Sequence, residues 1–129
     1  MSTEDATQVD HSTDGRGSAL QELSNEMVRL YKEMFGRGPT RARSAWIGED
    51  GLICTLEDSM TPAERNLVGM GEAQRLRDTR MFFQYASERE FREVVEQITG
   101  RKVRAFVSGI DTHADVSSEV FYLEPRATT

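Results

Sequence analysis

The sequence predicts an α+β fold in two layers: a four-stranded antiparallel sheet, built from two hairpins and packed against helices, in the order α-β-β-α-α-β-β. Three observations carry this expectation. Apolar residues recur at helical spacing from Leu20 to Met34 and again from Leu76 to Ile98. They alternate with period two around residues 40–57 and 101–124. Turn-forming residues split each alternating region into a pair of strands, and such pairs separated by helical runs read as hairpins covered on one side.

Residues 1–16 are acidic, rich in Ser and Thr and poor in large apolar groups, so burial cannot offset their ordering; they are expected to form a disordered tail. A single domain is expected over 17–125, with a short C-terminal tail over 126–129. The first helix should begin near Ser18 as N-cap. Leu20, Leu23, Met27, Leu30 and Met34 then follow at spacings of 3, 4, 3 and 4, one apolar stripe running toward Phe35. Such a stripe fits a helix lying on a sheet, and its period also fits a homodimer seam. Gly36 supplies the left-handed residue that ends a helix, and Pro39 blocks continuation.

After Pro39 the period changes. Ala42, Ser44 and Trp46 alternate against Arg41, Arg43, Ala45 and Ile47; "GEDG" turns the chain; Leu52, Cys54 and Leu56 continue on one face. "TPAE" at 61–64 is a capping box with Thr61 as N-cap, Pro62 at the first helical position and Glu64 reaching back. Gly69 and Gly71 interrupt the short helix that follows. A long helical stretch then runs to Gly100, with Leu76, Phe83, Phe91, Val94, Val95 and Ile98 on its expected buried side. Met81, Phe82 and Tyr85 widen that stripe and point to a second contact, with the first helix or another subunit. "RKVRAFVSGI" and "SSEVFYLE" supply the last two strands.

Composition excludes several functions. The chain has 129 residues, net charge −6 and pI about 5.0, without the concentrated basic face that a nucleic-acid binder needs. Cys54 is the only cysteine, so no intramolecular disulfide forms and a reduced, cytoplasmic setting is expected. The N-terminus has no signal-peptide apolar region, and no apolar run reaches the roughly 20 residues of a membrane helix, so no direct membrane insertion is expected.

The densest local chemistry is "GRGPTRAR". Arg37, Gly38, Thr40, Arg41 and Arg43 are its candidate anion- or partner-binding residues, because guanidinium forks and glycine-loop amides suit phosphate or carboxylate. The loop follows a helix C-terminus, however, where the dipole repels anions. In "DTHAD", Asp111, His113 and Asp115 are weak candidates for a metal, set against their ordinary use as turn residues. Cys54 lies mid-strand on an apolar face, and no serine sits in a nucleophile elbow. No catalytic constellation appears, and the expectation is a non-enzymatic binding or regulatory protein without a cofactor.

"GRGPTRAR" after an amphipathic helix, "GLICTLEDSMTPAERNLV", "EQITGRKVRAF" and the closing "EVFYLEP" together resemble a family of small bacterial proteins. That family, long labelled a domain of unknown function, is described as MpsC, the C component of a proposed Na+-translocating, membrane-potential-generating system. The resemblance covers about residues 18 to 125. It implies association with a membrane transport complex for cations or inorganic carbon, as an accessory or regulator, and supplies no catalytic residues. The alternative is a small-molecule sensor for an anion or nucleotide at the same arginines.

Overall fold

A computed structural model describes residues 8–9 and 15–126. The expected N-terminal tail therefore lies mostly outside the described residues, as do residues 127–129. The elements are β1 (Gln8–Val9), α1 (Gly15–Phe35), β2 (Arg41–Ile47), β3 (Gly51–Glu57), α2 (Pro62–Gly69), α3 (Ala73–Ala86), α4 (Glu88–Thr99), β4 (Val103–Asp111) and β5 (Val116–Leu123). The sheet order is β1-β2-β3-β5-β4. The four long strands are antiparallel, as expected, and β1 adds a two-residue parallel pairing along β2.

Both hairpins form where alternation places them. Arg41 pairs with Glu57 and Ile47 with Gly51 in the first. Glycine is required at 51, since an added Cβ would come within 2.8 Å of the Ile47 carbonyl oxygen. The second hairpin pairs Val103 with Leu123 and Asp111 with Val116, with a register shift between Val103 and Ala105.

Helix α1 starts at Gly15, three residues before Ser18, and ends at Gly36, whose φ of 77° is the left-handed cap. Its stripe is spent within the chain. Leu23, Met27 and Leu30 are buried in the core and the half-buried Leu20 and Met34 pack against it, so the stripe serves as helix packing. Leu52, Cys54 and Leu56 from β3 and Phe121 and Leu123 from β5 complete the sheet side. The opposite face of the sheet is open, with Arg41, Arg43, Ala45, Ile47 and Val107 exposed.

The long helical stretch departs from expectation. It breaks at Ser87, which separates α3 from α4 and lets the two turn different faces inward. In α4 the expected Phe91 and Val95 are buried. In α3 the buried residues are Leu76, Arg80 and Gln84, and Phe83 is 43% exposed. An i, i+4, i+8 face that includes two polar residues has displaced the expected apolar one, because each polar group finds partners inside.

Candidate functional site

The "GRGPTRAR" loop meets two other turns at one end of the sheet, the β3–α2 connection and the β4–β5 turn. Arg37 does not face solvent as an anion receptor. Its Nη1 donates to the carbonyls of Asp58 (2.6 Å) and Met60 (3.0 Å), and its Nη2 to the Asp58 carboxylate (3.3 Å). The Thr40 hydroxyl donates to the same carboxylate at 2.9 Å. Asp58 adopts φ 59°, a backbone state that Asp tolerates when its side chain is bonded locally. Burial opposes its ionised form, but Thr40 and Arg37 outweigh that and hold its pKa below the ordinary carboxylate value.

Asp115, with φ 56°, closes the assembly from the other hairpin. Its carboxylate accepts from the amides of Ser59 (3.0 Å) and Met60 (3.1 Å) and from Arg65 (3.2 Å). The "DTHAD" residues therefore do not converge on a metal. Asp115 points inward, whereas Asp111 accepts from the amides of His113 and Ala114 in its own turn, and His113 is exposed. Arg41 and Arg43 are separated from Arg37 by strand alternation. Both project from the open face, Arg41 within 3.8 Å of Glu57 and Arg43 without a side-chain partner among the described residues.

Arg80 was not among the expected site residues, yet it is fully buried. It forks onto the Glu64 carboxylate at 2.7 and 2.9 Å, donates to the Ser59 hydroxyl (3.2 Å) and carbonyl (3.1 Å), and lies 3.7 Å above the Phe35 ring. Glu64 is thus shared: it completes the Thr61 capping box and neutralises Arg80. Burial opposes its ionised form, but the Arg80 hydrogen bonds hold its pKa below the ordinary value.

A second group missed from the sequence crosses the helix-covered face of the sheet. Ser44, Cys54, Glu119 and Ser108 are consecutive partners on β2, β3, β5 and β4, a row of small and polar residues among apolar ones. Ser24 on α1 bonds Ser44 at 2.7 Å. Tyr31 on α1 donates to Glu119 at 3.1 Å, Ser108 donates to both Glu119 oxygens, and Gln84 on α3 donates to Ser108 at 2.5 Å. Glu119 is fully buried with no cation bonded to it, and burial pushes its pKa up to about 8. Burial and the neighbouring Glu119 also hold the Tyr31 phenol well above its usual value. The Cys54 thiol is pushed up to about 12 by burial, which leaves it unreactive.

Large hydrophobic residues are exposed on α3 and just after α2, interspersed with exposed polar residues such as Arg65, Arg75, Arg77 and Asp78. Helix α2 buries none of its residues. Met70 is 74% and Phe82 70% exposed, and Phe82 meets Phe83 edge to face at 5.9 Å.

Residues 15–125, nearly all of the described chain, match the family described as "Na+-translocating membrane potential-generating system (MpsC)". The chain belongs to the MpsC family. No curated protein and no solved structure matches it. The MpsC match spans all the groups described above, from Ser24 on α1 to Glu119 on β5. Its description links the family to a membrane transport system, while no helix among the described residues of this MpsC chain is long and apolar enough to cross a membrane. The buried row had one signal in the sequence: Glu119 occupies an inward position of an alternating strand, where an apolar residue is the norm.

Proposed function

We propose that this MpsC chain is a non-enzymatic accessory or regulatory component of a membrane cation-transport system, acting from the cytoplasm and docking through the exposed hydrophobic side chains of α3 and of Met70 beside it. One observation carries the docking surface. Of the six large hydrophobic residues exposed among the described residues, four (Met70, Phe82, Phe83 and Tyr85) fall in this segment. Exposed aromatics concentrated on one element are an interface signature, whereas singly scattered ones are ordinary. The family description, which names a Na+-translocating system, supports reading the partner as a membrane-embedded transport subunit. Arg41 and Arg43 on the open sheet face offer a separate cationic contact, and Arg37, engaged with Asp58, does not. The same pairing disfavours an anion or nucleotide sensor at this loop, because an incoming anion must displace a carboxylate already in place.

Tagged protein is used to capture partners from detergent-solubilised membranes of its host cell, with mass-spectrometric identification. The parent should retain a polytopic ion-transport subunit. A Met70→Ser/Phe82→Ser variant with parental melting temperature should lose it. If the parent captures no such subunit, the functional reading fails; if the variant captures it equally, the docking surface is wrong. An Arg41→Glu/Arg43→Glu variant reports separately on the open sheet face.

A further inference from the structure

We propose that the open face of the sheet pairs with the same face of a second copy of this chain, about a two-fold axis that runs along the strands between β3 and β5. This inference does not rest on the docking reading, because α3 lies on the other side of the sheet.

Cross-strand register builds the face. Ala45, Ile53, Val120 and Val107 are consecutive partners on β2, β3, β5 and β4, an apolar row that crosses all four long strands. The next row, Ile47, Gly51, Tyr122 and Ala105, carries a phenol as its one polar group. A solvated face of an antiparallel sheet ordinarily presents polar residues at these alternate positions, and these two rows do not. Ile47 at 44% and Val107 at 52% are the two exposed large hydrophobics that lie outside the α3 docking segment, and both are on this face.

Charge chooses the occupant. Beyond the apolar rows the face is polar, with Arg43 and Arg41 toward the β2 side and Asp111 toward the β4 side. A two-fold along the strands lays β2 over β4 of the second copy and β3 over its β5, and keeps each row over itself. Apolar rows then meet apolar rows, and the arginines of each copy come over Asp111 of the other. Arg43 has no side-chain partner among the described residues. It lies opposite Gly109 of the second copy, where even an added Cβ would meet nothing within 4 Å. Asp111 bonds its own turn through Oδ1, which leaves Oδ2 to accept from that arginine. Sheets stack about 10 Å apart, a gap that an arginine side chain spans. A two-fold across the strands would instead set the Ile47 row against the Arg41 row and bury charge against apolar surface.

Four strands about 4.8 Å apart and seven residues of about 3.3 Å each give the face roughly 440 Å2 in projection per copy, at the small end of specific interfaces. The pair is therefore weak, with the chain monomeric at about 1 μM and mostly paired at about 500 μM.

Sedimentation velocity of the full chain across that range tests the proposal. The parent should pass from one chain of 14.6 kDa to two. Val107→Lys alters an exposed side chain, so at about 1 μM it should keep the parental circular dichroism and melting temperature, while its dissociation constant rises at least about tenfold. Arg43→Glu should weaken the pair several-fold, and added salt should weaken the parent more than this variant. Phe82→Ser, on the helix side, should pair as the parent does. A parent still monomeric at about 500 μM, whose face is then free for a different protein, overturns the proposal. So does a Val107→Lys pair as tight as the parent's, or loss of pairing in Phe82→Ser. An Arg43→Glu pair as tight as the parent's overturns the two-fold along the strands.

Discussion

Replacing Glu119 by Gln should remove a slope from the pH dependence of stability. The folded carboxyl titrates at about 8 against an ordinary 4.5. Between those values the folded chain holds a proton that the unfolded chain has released, so stability declines as pH rises. The stabilisation is complete below the unfolded value and gone once pH passes the folded one. Each pH unit in the interval is worth about 1.4 kcal/mol. Across the interval the decline approaches about 5 kcal/mol, an upper figure comparable with the whole stability of a marginal domain. Glutamine has nearly the same shape, keeps an acceptor for Tyr31 and never ionises. Urea unfolding at pH 5, 6, 7, 8 and 9 in choline chloride, followed by Trp46 fluorescence, reads the effect. The parent should lose stability steadily to pH 8 and then level off, while the variant stays nearly flat and becomes the more stable protein at pH 9. Parallel profiles, or a variant less stable than the parent at pH 9, would refute the reasoning. Asp58 and Glu64 do not confuse the measurement: their lowered values place their contribution above the ordinary carboxylate range, and it is lost only as pH falls below about 4.

Other substitutions separate structural from surface arginines. Arg80→Met should cost about 3 kcal/mol in urea unfolding, since it leaves Glu64 and Ser59 without their partner. Asp115→Ala should cost about 2–3 kcal/mol by freeing the Ser59 and Met60 amides and placing alanine at positive φ, and Asp115→Asn should cost less. Arg43→Glu should change stability by no more than about 0.5 kcal/mol, in contrast to Arg37→Glu, which sets a carboxylate against Asp58. Cys54 should resist a disulfide-exchange reagent in the native protein and react stoichiometrically in denaturant, as its buried, protonated thiol requires.

The strands, the capping box and the glycine stop at Gly36 were legible because each rests on local chemistry: alternation, a Thr61–Glu64 reciprocal bond, a left-handed φ. The α1 stripe was legible too, although only the sheet beneath it decides between core and seam. What periodicity did not reveal was the orientation of α3. An apolar template places Phe83 inward and ranks Arg80 and Gln84 as solvent-facing, since unpaired polar burial is unfavourable. The partners that reverse this ranking, Glu64, Ser59 and Ser108, lie 16, 21 and 24 residues away, beyond any local pattern. The "GRGPTRAR" motif failed as a unit for a related reason. A helix cap followed by a strand sends Arg37 toward the turns and Arg41 and Arg43 toward the open face, and spacing in a sequence does not distinguish them.

These two departures meet in one element. Helix α3 turns Arg80 and Gln84 inward beside Leu76 and leaves Phe82 exposed, so polar residues hold part of its buried face. Hydrogen bonds and an ion pair, which are sensitive to local charge, therefore share its attachment with aromatic contacts such as Phe83 against Phe35. The charge on Glu119, which reaches Gln84 through the Ser108 hydroxyl, bears on the inner face, and a partner on Phe82 engages the outer face of the same helix. If the partner docks as proposed and the two faces are coupled, linkage requires that proton binding at Glu119 and partner binding alter each other's affinity by the same factor. Measuring the affinity for the captured membrane subunit at pH 6 and pH 9, in the parent and in Glu119→Gln, reads that factor; the same pH dependence in both proteins would mean that α3 is a rigid bystander between its two faces.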